Sequence, residues 1–104
     1  MSILSDVLKD EYERLKSLEE WYKQEIGSLP KGSLSLKKRK NREYLYLNYR
    51  EKSKVKSDYV GLASSKKAID VANKIRQRKN HEQELKAVKQ DLKEVERALY
   101  GKKI

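Results

Sequence analysis

Apolar residues recur at three- and four-residue intervals towards both ends of this chain and alternate with polar residues in its middle, and the change of period divides it into three elements. Over residues 2–28 the positions Leu4, Leu8, Leu15, Leu18 and Tyr22, continued by Leu29, trace one stripe, which Val7, Tyr12 and Ile26 widen. An amphipathic helix is expected there. Ser5, with Asp6 behind it, is a candidate N-cap, and Gly27 followed by Pro30 supplies the stop.

Beyond Leu29-Pro30-Lys31-Gly32 the period becomes two. Ser33 to Lys38 reads as a first strand, a turn is expected near Lys40-Asn41, and Glu43 to Arg50 (EYLYLNYR) is the strongest strand signal in the chain. Glu51-Lys52-Ser53 is expected as a second turn and Lys54 to Val60 as a third strand. The simplest product is a three-stranded antiparallel meander over residues 33–60.

Helical spacing returns over residues 64–100, with Ser64 or Ser65 as N-cap and Gly101 as terminator. Ala68, Ile69, Ala72 and Ile75 form one apolar run and Leu85, Val88, Leu92, Val95 and Leu99 another, separated by nine polar residues from Arg76 to Glu84. That stretch is either a solvated part of one helix or a break between two. Continuity is favoured because no glycine or proline interrupts it.

The fold class expected is therefore α+β and mostly helical: a long helix, the meander and a second long helix, with the helices packed as an antiparallel coiled-coil-like hairpin. The 104 residues give room for a single domain spanning 1–104, and 37% hydrophobic against 40% charged residues leave little for a thick core, so an elongated helical architecture fits. Seven tyrosines, one tryptophan and the regular leucine spacing argue against disorder. With the meander joining their near ends, the second helix outruns the first, and its surplus end is available for a homodimer.

Charge sharpens the picture. The formal net charge of +10 is uneven: residues 1–30 carry four Lys/Arg against seven Asp/Glu, residues 31–62 ten against three, residues 63–81 six against one and residues 82–104 six against five. A polyanion is the natural partner for the central block, because each cation that neutralises a phosphate releases a condensed counterion. Leu34, Leu36, Leu45, Leu47, Val55 and Tyr59 are expected to cover the helices. The opposite face then presents Ser33, Ser35, Lys37, Tyr44, Tyr46, Lys54 and Lys56, with Arg39, Lys40, Arg42 and Lys52 extending it through the turns. Lysine and arginine meet phosphates while aromatic rings stack on bases, so Lys37, Arg39, Lys40, Arg42, Tyr44, Tyr46, Lys52, Lys54 and Lys56 are the candidate nucleic-acid-binding residues. The competing account is a solvated sheet whose lysines protect its edges and whose tyrosines pair across strands. A second basic run, Lys74 to Lys79, is either a solvated helix face or a second phosphate-contacting surface.

Candidates for catalysis are few. His81, the lone histidine, sits in a polar run beside Glu82 and Glu84, a setting that suits solvent exposure better than acid–base work. There is no Gly-rich phosphate loop, H-E-x-x-H pair or nucleophile elbow, and no cysteine for a disulfide or a thiolate metal site. A non-enzyme without cofactor is expected. No apolar run has the length of a secretory signal or a membrane span, which leads to a cytoplasmic, membrane-free expectation. Trp21, beside Tyr22, is either ordinary packing or an interface anchor.

Tyr49-Arg50-Glu51, Lys54-Val55 and Tyr59-Val60-Gly61, lying within residues 32–61, resemble small uncharacterised bacterial and archaeal proteins with a tyrosine-rich strand, a Y-R-E-x-x-K-V turn and a Y-[VI]-G ending. The order of three strands and then a helix is also similar to the arm-type DNA-binding domains of tyrosine recombinases, a likeness of layout covering about a third of the chain. It implies a DNA-binding accessory protein, one belonging to a mobile element, in which the sheet enters the major groove. The recombinase catalytic residues have no counterpart here. Two functions follow as expectations: a non-catalytic nucleic-acid-binding protein, DNA favoured, or a coiled-coil adaptor that docks an acidic protein partner on its basic meander.

Overall fold

The structure, a computed structural model, describes residues 3–101. In chain order it consists of α1 (Ile3–Ser28), β1 (Ser33–Arg39), β2 (Arg42–Glu51), β3 (Lys54–Leu62) and α2 (Lys66–Tyr100). This is the expected helix, meander, helix order. The expected helix start at Ser2 lies outside the described residues, and Ser5 falls within α1. Gly27 is also inside α1, so the stop comes two residues later than that glycine, at Leu29-Pro30.

The described chain divides into two compact units, 3–28 with 80–101, and 29–79. In the helical unit Leu15, Val88 and Leu92 are buried together, and Tyr12, Leu18, Tyr22 and Val95 pack around them. Leu15 meets Val88 and Leu92, while Trp21 and Tyr22 meet His81 further along α1 and earlier along α2, so the helices run antiparallel. Each such aliphatic side chain contributes about 1.5–3 kcal/mol on full burial. Leu4 and Val7, expected in the stripe, are exposed at 68% and 56%.

In the second unit the strands form one antiparallel sheet in the order β1-β2-β3. β1 and β2 are joined through Lys40 and Asn41, and β2 and β3 through Lys52 and Ser53, each pair at φ near +48° and +66°. Both central residues at positive φ define the two-residue turn whose twist suits a hairpin. Gly32 enters the sheet at φ +128°, where a Cβ would collide with the Asn48 carbonyl oxygen, so only glycine fits. A bulge interrupts the β2-β3 pairing beside Leu45 and Tyr46, and Gly61 stands there at φ +154°.

Ser65 caps α2: its Oγ accepts from the Ala68 N–H at 3.2 Å and its carbonyl from the Ile69 N–H at 3.0 Å. α2 then runs without a break through the nine polar residues. Its inner positions 68, 71, 72, 75, 78, 81, 85, 88, 92, 95 and 99 keep one continuous three- and four-residue spacing, all buried or half-buried. Arg78 and His81 therefore occupy the stripe where apolar side chains are missing. Arg78 donates to the Leu29 carbonyl at 2.7 Å, satisfying a group that α1 leaves open just past its end. Gly101, at φ +70°, closes α2 as expected.

The surplus length of α2 falls at its N-terminal end. Its first fourteen residues, 66–79, belong to the sheet unit, and the remainder pairs with α1.

Candidate functional site

Partners directly across an antiparallel pair share a face, so the register sorts every strand residue. Leu34 lies opposite Leu47 and Leu36 opposite Leu45, while Ser35 is opposite Tyr46 and Lys37 opposite Tyr44. Leu45 is 6% exposed, and together with Leu34 and Leu36 it lines a groove against Ala68, Ile69 and Ala72 of α2. The leucine face is thus the one turned to α2, as expected, with Leu45 covered, Leu34 and Leu47 half-covered and Leu36, expected to be covered, still 55% exposed. The other face carries Tyr44 and Tyr46 and is the open side of the sheet.

The third strand is inverted relative to expectation. Tyr46 pairs with Tyr59, Arg50 with Val55, Tyr49 with Lys56 and Glu51 with Lys54. Val55 and Tyr59 therefore stand on the tyrosine face, and Lys54 and Lys56 on the leucine side. The cause is turn length. A three-residue turn over Glu51-Lys52-Ser53 would pair Arg50 with Lys54; the observed turn uses only Lys52-Ser53, and a one-residue slip exchanges the two faces.

This inversion segregates charge. The tyrosine face bears Lys37 and Arg39 from β1 and Arg42 and Arg50 from β2, with Lys40 and Lys52 in the turns. The three acids of the sheet, Glu43, Glu51 and Asp58, all sit on the leucine side, at positions facing Lys38, Lys54 and Leu47. Lys56 Nζ lies 3.4 Å from Glu51 Oε2. Tyr49, on the same side, hydrogen-bonds Asp58, and that bond, with some burial, pushes its phenol above the usual tyrosine range. Lys54 and Lys56 are thus set among carboxylates, while the cations of the tyrosine face have none among the strand positions that share it.

At the centre of that face the rings cluster. Tyr59 packs on Tyr46 with centroids 5.5 Å apart and on Tyr44 at 6.1 Å, tilted by 60° and 50°. Lys37 Nζ stands 4.6 Å over the Tyr46 ring. Arg39, Tyr44, Tyr46 and Tyr59 line a shallow hollow of about 280 Å³. Next to it Asn48 Nδ2 donates to Ser35 Oγ at 3.1 Å. Sequence reasoning placed Lys37, Arg39, Lys40, Arg42, Tyr44, Tyr46 and Lys52 on or beside this surface; it missed Tyr59 and Arg50. Alternation within β2 already puts Arg50 on the face of Tyr44 and Tyr46, and the double positive-φ turn at Lys52-Ser53, read as two residues, supplies the parity that finds Tyr59.

The second basic run is largely engaged within the protein. Lys74 pairs with Asp70 at 3.2 Å, Arg76 donates to Asn73 Oδ1 at 3.2 Å, and Arg78 holds the Leu29 carbonyl. His81 departs from its expected exposure: it is half-buried, edge-on to Trp21 at 5.4 Å and tilted against Tyr22 at 5.6 Å, and its Nε2 is buried without a hydrogen-bond partner among the described residues. Trp21 joins that cluster, its ring 5.0 Å from Tyr22, while remaining 48% exposed. Among the described residues no three His, Cys, Asp or Glu side chains gather in the way a metal ion requires, and no helix is long and apolar enough to cross a membrane.

The family model of a domain of unknown function, DUF6788, matches residues 5–68, from the first turn of α1 through the sheet to the first turn of α2. No curated protein and no solved structure matches the chain.

Proposed function

The chain belongs to the DUF6788 family, a domain of unknown function, and we propose that it is a non-catalytic nucleic-acid-binding protein of the cytoplasm, DNA favoured, that meets its ligand with the tyrosine face of the sheet. One observation carries the reading: every acid of the sheet lies on the leucine side, leaving Lys37, Arg39, Arg42 and Arg50 around the tyrosines with no carboxylate at the strand positions of their own face. A solvated edge-protecting surface has no need of that segregation, since interspersed signs keep a sheet soluble equally well. A surface for a polyanion does need it, because a nearby carboxylate repels phosphate and cancels part of the local field.

The test is fluorescence-anisotropy titration of the purified protein with labelled DNA and RNA across a salt series. Replacing Lys37, Arg39, Arg42 and Arg50 with glutamine removes most of the affinity and flattens the salt slope by about one unit for each phosphate no longer neutralised. Replacing Lys54 and Lys56 costs far less. Absence of binding at low salt, or equal losses from the two sets, overturns the proposal.

The same proposal includes a homodimer through the helical unit. Ile3, Leu4, Val7 and Tyr100 are exposed at 83%, 68%, 56% and 72%, at the one end shared by two antiparallel helices. Light scattering reads the mass, and Leu4→Glu yields a monomer if this end is the contact.

A further inference from the structure

Resting on the nucleic-acid reading above, we infer that the strand this face takes is unpaired: a single-stranded nucleic acid whose bases stack on Tyr44, Tyr46 and Tyr59 while its phosphates lie on Lys37, Arg39 and Arg42. In a duplex the base faces are stacked on one another, and only base edges and phosphates are within reach of a protein. A patch built of aromatic faces has nothing to stack on there. The centre of this surface is such a patch, three tyrosines packed at tilts of 50° and 60°, with Tyr59 exposed and Tyr44 and Tyr46 half-buried.

Tyr59 is 55% exposed, an amount of aromatic surface that an isolated sheet gains nothing by presenting to water. The shallow hollow of about 280 Å³ between Arg39 and the three rings admits one flat ring system and excludes a helix two strands wide. Lys37, held over the Tyr46 ring at 4.6 Å, fits the same scheme. Its ammonium occupies the ring face in the free protein, and swinging to a phosphate uncovers that face for a base.

Apart from Arg50, Val55 and Leu62 towards its ends, the remainder of the face is small and polar. Ser33, Ser35, Asn48 and Ser57 make a low floor, and Asn48 spends its amide hydrogen bond on Ser35. Stacking on ring faces reads no base edge, so the contact tolerates sequence. Insertion of the sheet into a major groove, implied by the arm-type layout, would instead put these rings against base edges and the hydrophilic backbone.

The full-length protein is titrated with a labelled oligothymidine, an oligouridine and a duplex of equal length, all at the same salt. We expect the single strands to bind at least about tenfold more tightly than the duplex. Tyr59→Ala and Tyr46→Ala each weaken single-strand binding by about fivefold to a hundredfold and leave duplex affinity within about twofold. Tyr59→Phe, which keeps the ring, retains the single-strand affinity, and circular dichroism confirms that each variant is folded. Duplex binding as tight as or tighter than single-strand binding overturns this inference and leaves the nucleic-acid reading standing, as do alanine variants with unchanged single-strand affinity. Failure to bind any of the three at low salt overturns both.

Discussion

Two side chains in the helical unit show how single residues settle what a pattern leaves open. Glu19 is buried at the flank of the α1–α2 core and touches Lys16 Nζ at 3.0 Å and Lys23 Nζ at 3.9 Å. The hydrogen bond from Lys16 does most to hold its carboxyl below the usual carboxylate range, with the charges of Lys16, Lys23 and Lys89 adding to it against the opposing effect of burial. A carboxylate whose folded-state pKa is depressed stabilises the fold fully above its unfolded value of about 4.3, and that contribution disappears as pH falls through the lower folded value. Glu19→Gln is therefore expected to melt below the parent protein at pH 7, and the gap to close as pH drops under about 4, read by thermal circular dichroism from pH 7 to 3. A gap constant over that range would remove the ion pairs from the account. His81 makes the converse point. It looks solvated in the sequence because its neighbours are all polar, yet counting three and six positions on from Ile75 places Arg78 and His81 on the inner stripe.

At the scale of elements, the two hairpin turns decide more than any strand propensity does. Lys52 and Ser53 both stand at positive φ, a conformation that costs an ordinary L-residue about 1–2 kcal/mol and glycine nearly nothing. Ser53→Gly is expected to stabilise the protein by about 1 kcal/mol, seen as a higher urea midpoint with an unchanged slope. A lower midpoint would mean that Ser53 is not held in the left-handed region. The strands were legible: alternation and tyrosine content gave β1 and β2 to within about a residue at each end. The face of β3 was not, because its apolar residues fall in both parities, Val55 and Tyr59 in one and Val60 and Leu62 in the other, and only the length of the preceding turn sets which parity joins the leucine face. Helix α1 shows a related limit, since Leu4 and Val7 match the stripe in spacing but have no partner within the core.

On the scale of the whole molecule, the chain builds two cores, one from Leu15, Val88 and Leu92 and the other around Leu45, Ala68 and Ile75, rather than a single thick one. That follows from composition: with 40% of residues charged, no single layer of apolar side chains can serve all five elements. Leu92→Ala and Leu45→Ala should each cost about 2–5 kcal/mol, but in different places. Native-state hydrogen exchange is expected to accelerate in α1 and residues 80–100 for the first and in the sheet and residues 66–79 for the second. Uniform acceleration in both variants would show that the two cores open as one. The excess positive charge follows the same division, since residues 31–62 hold ten Lys/Arg against three Asp/Glu and residues 1–30 four against seven.

By itself the sequence determined the order of elements, a serine cap at Ser64 or Ser65, the terminator at Gly101, the leucine face of β1 and β2 and the basic character of the middle. These are local matters, fixed by side-chain period, by the hydrogen-bonding habits of a serine at a helix start and by the freedom of glycine at its end. Only the tertiary structure decided which residues share the open face of the sheet. Parity in β3 depends on pairing across a turn, and pairing depends on two backbone dihedrals at Lys52 and Ser53 that composition does not reveal. From that one register came the placement of Tyr59 with Tyr44 and Tyr46, and of Asp58 with Glu43 and Glu51 on the side away from them.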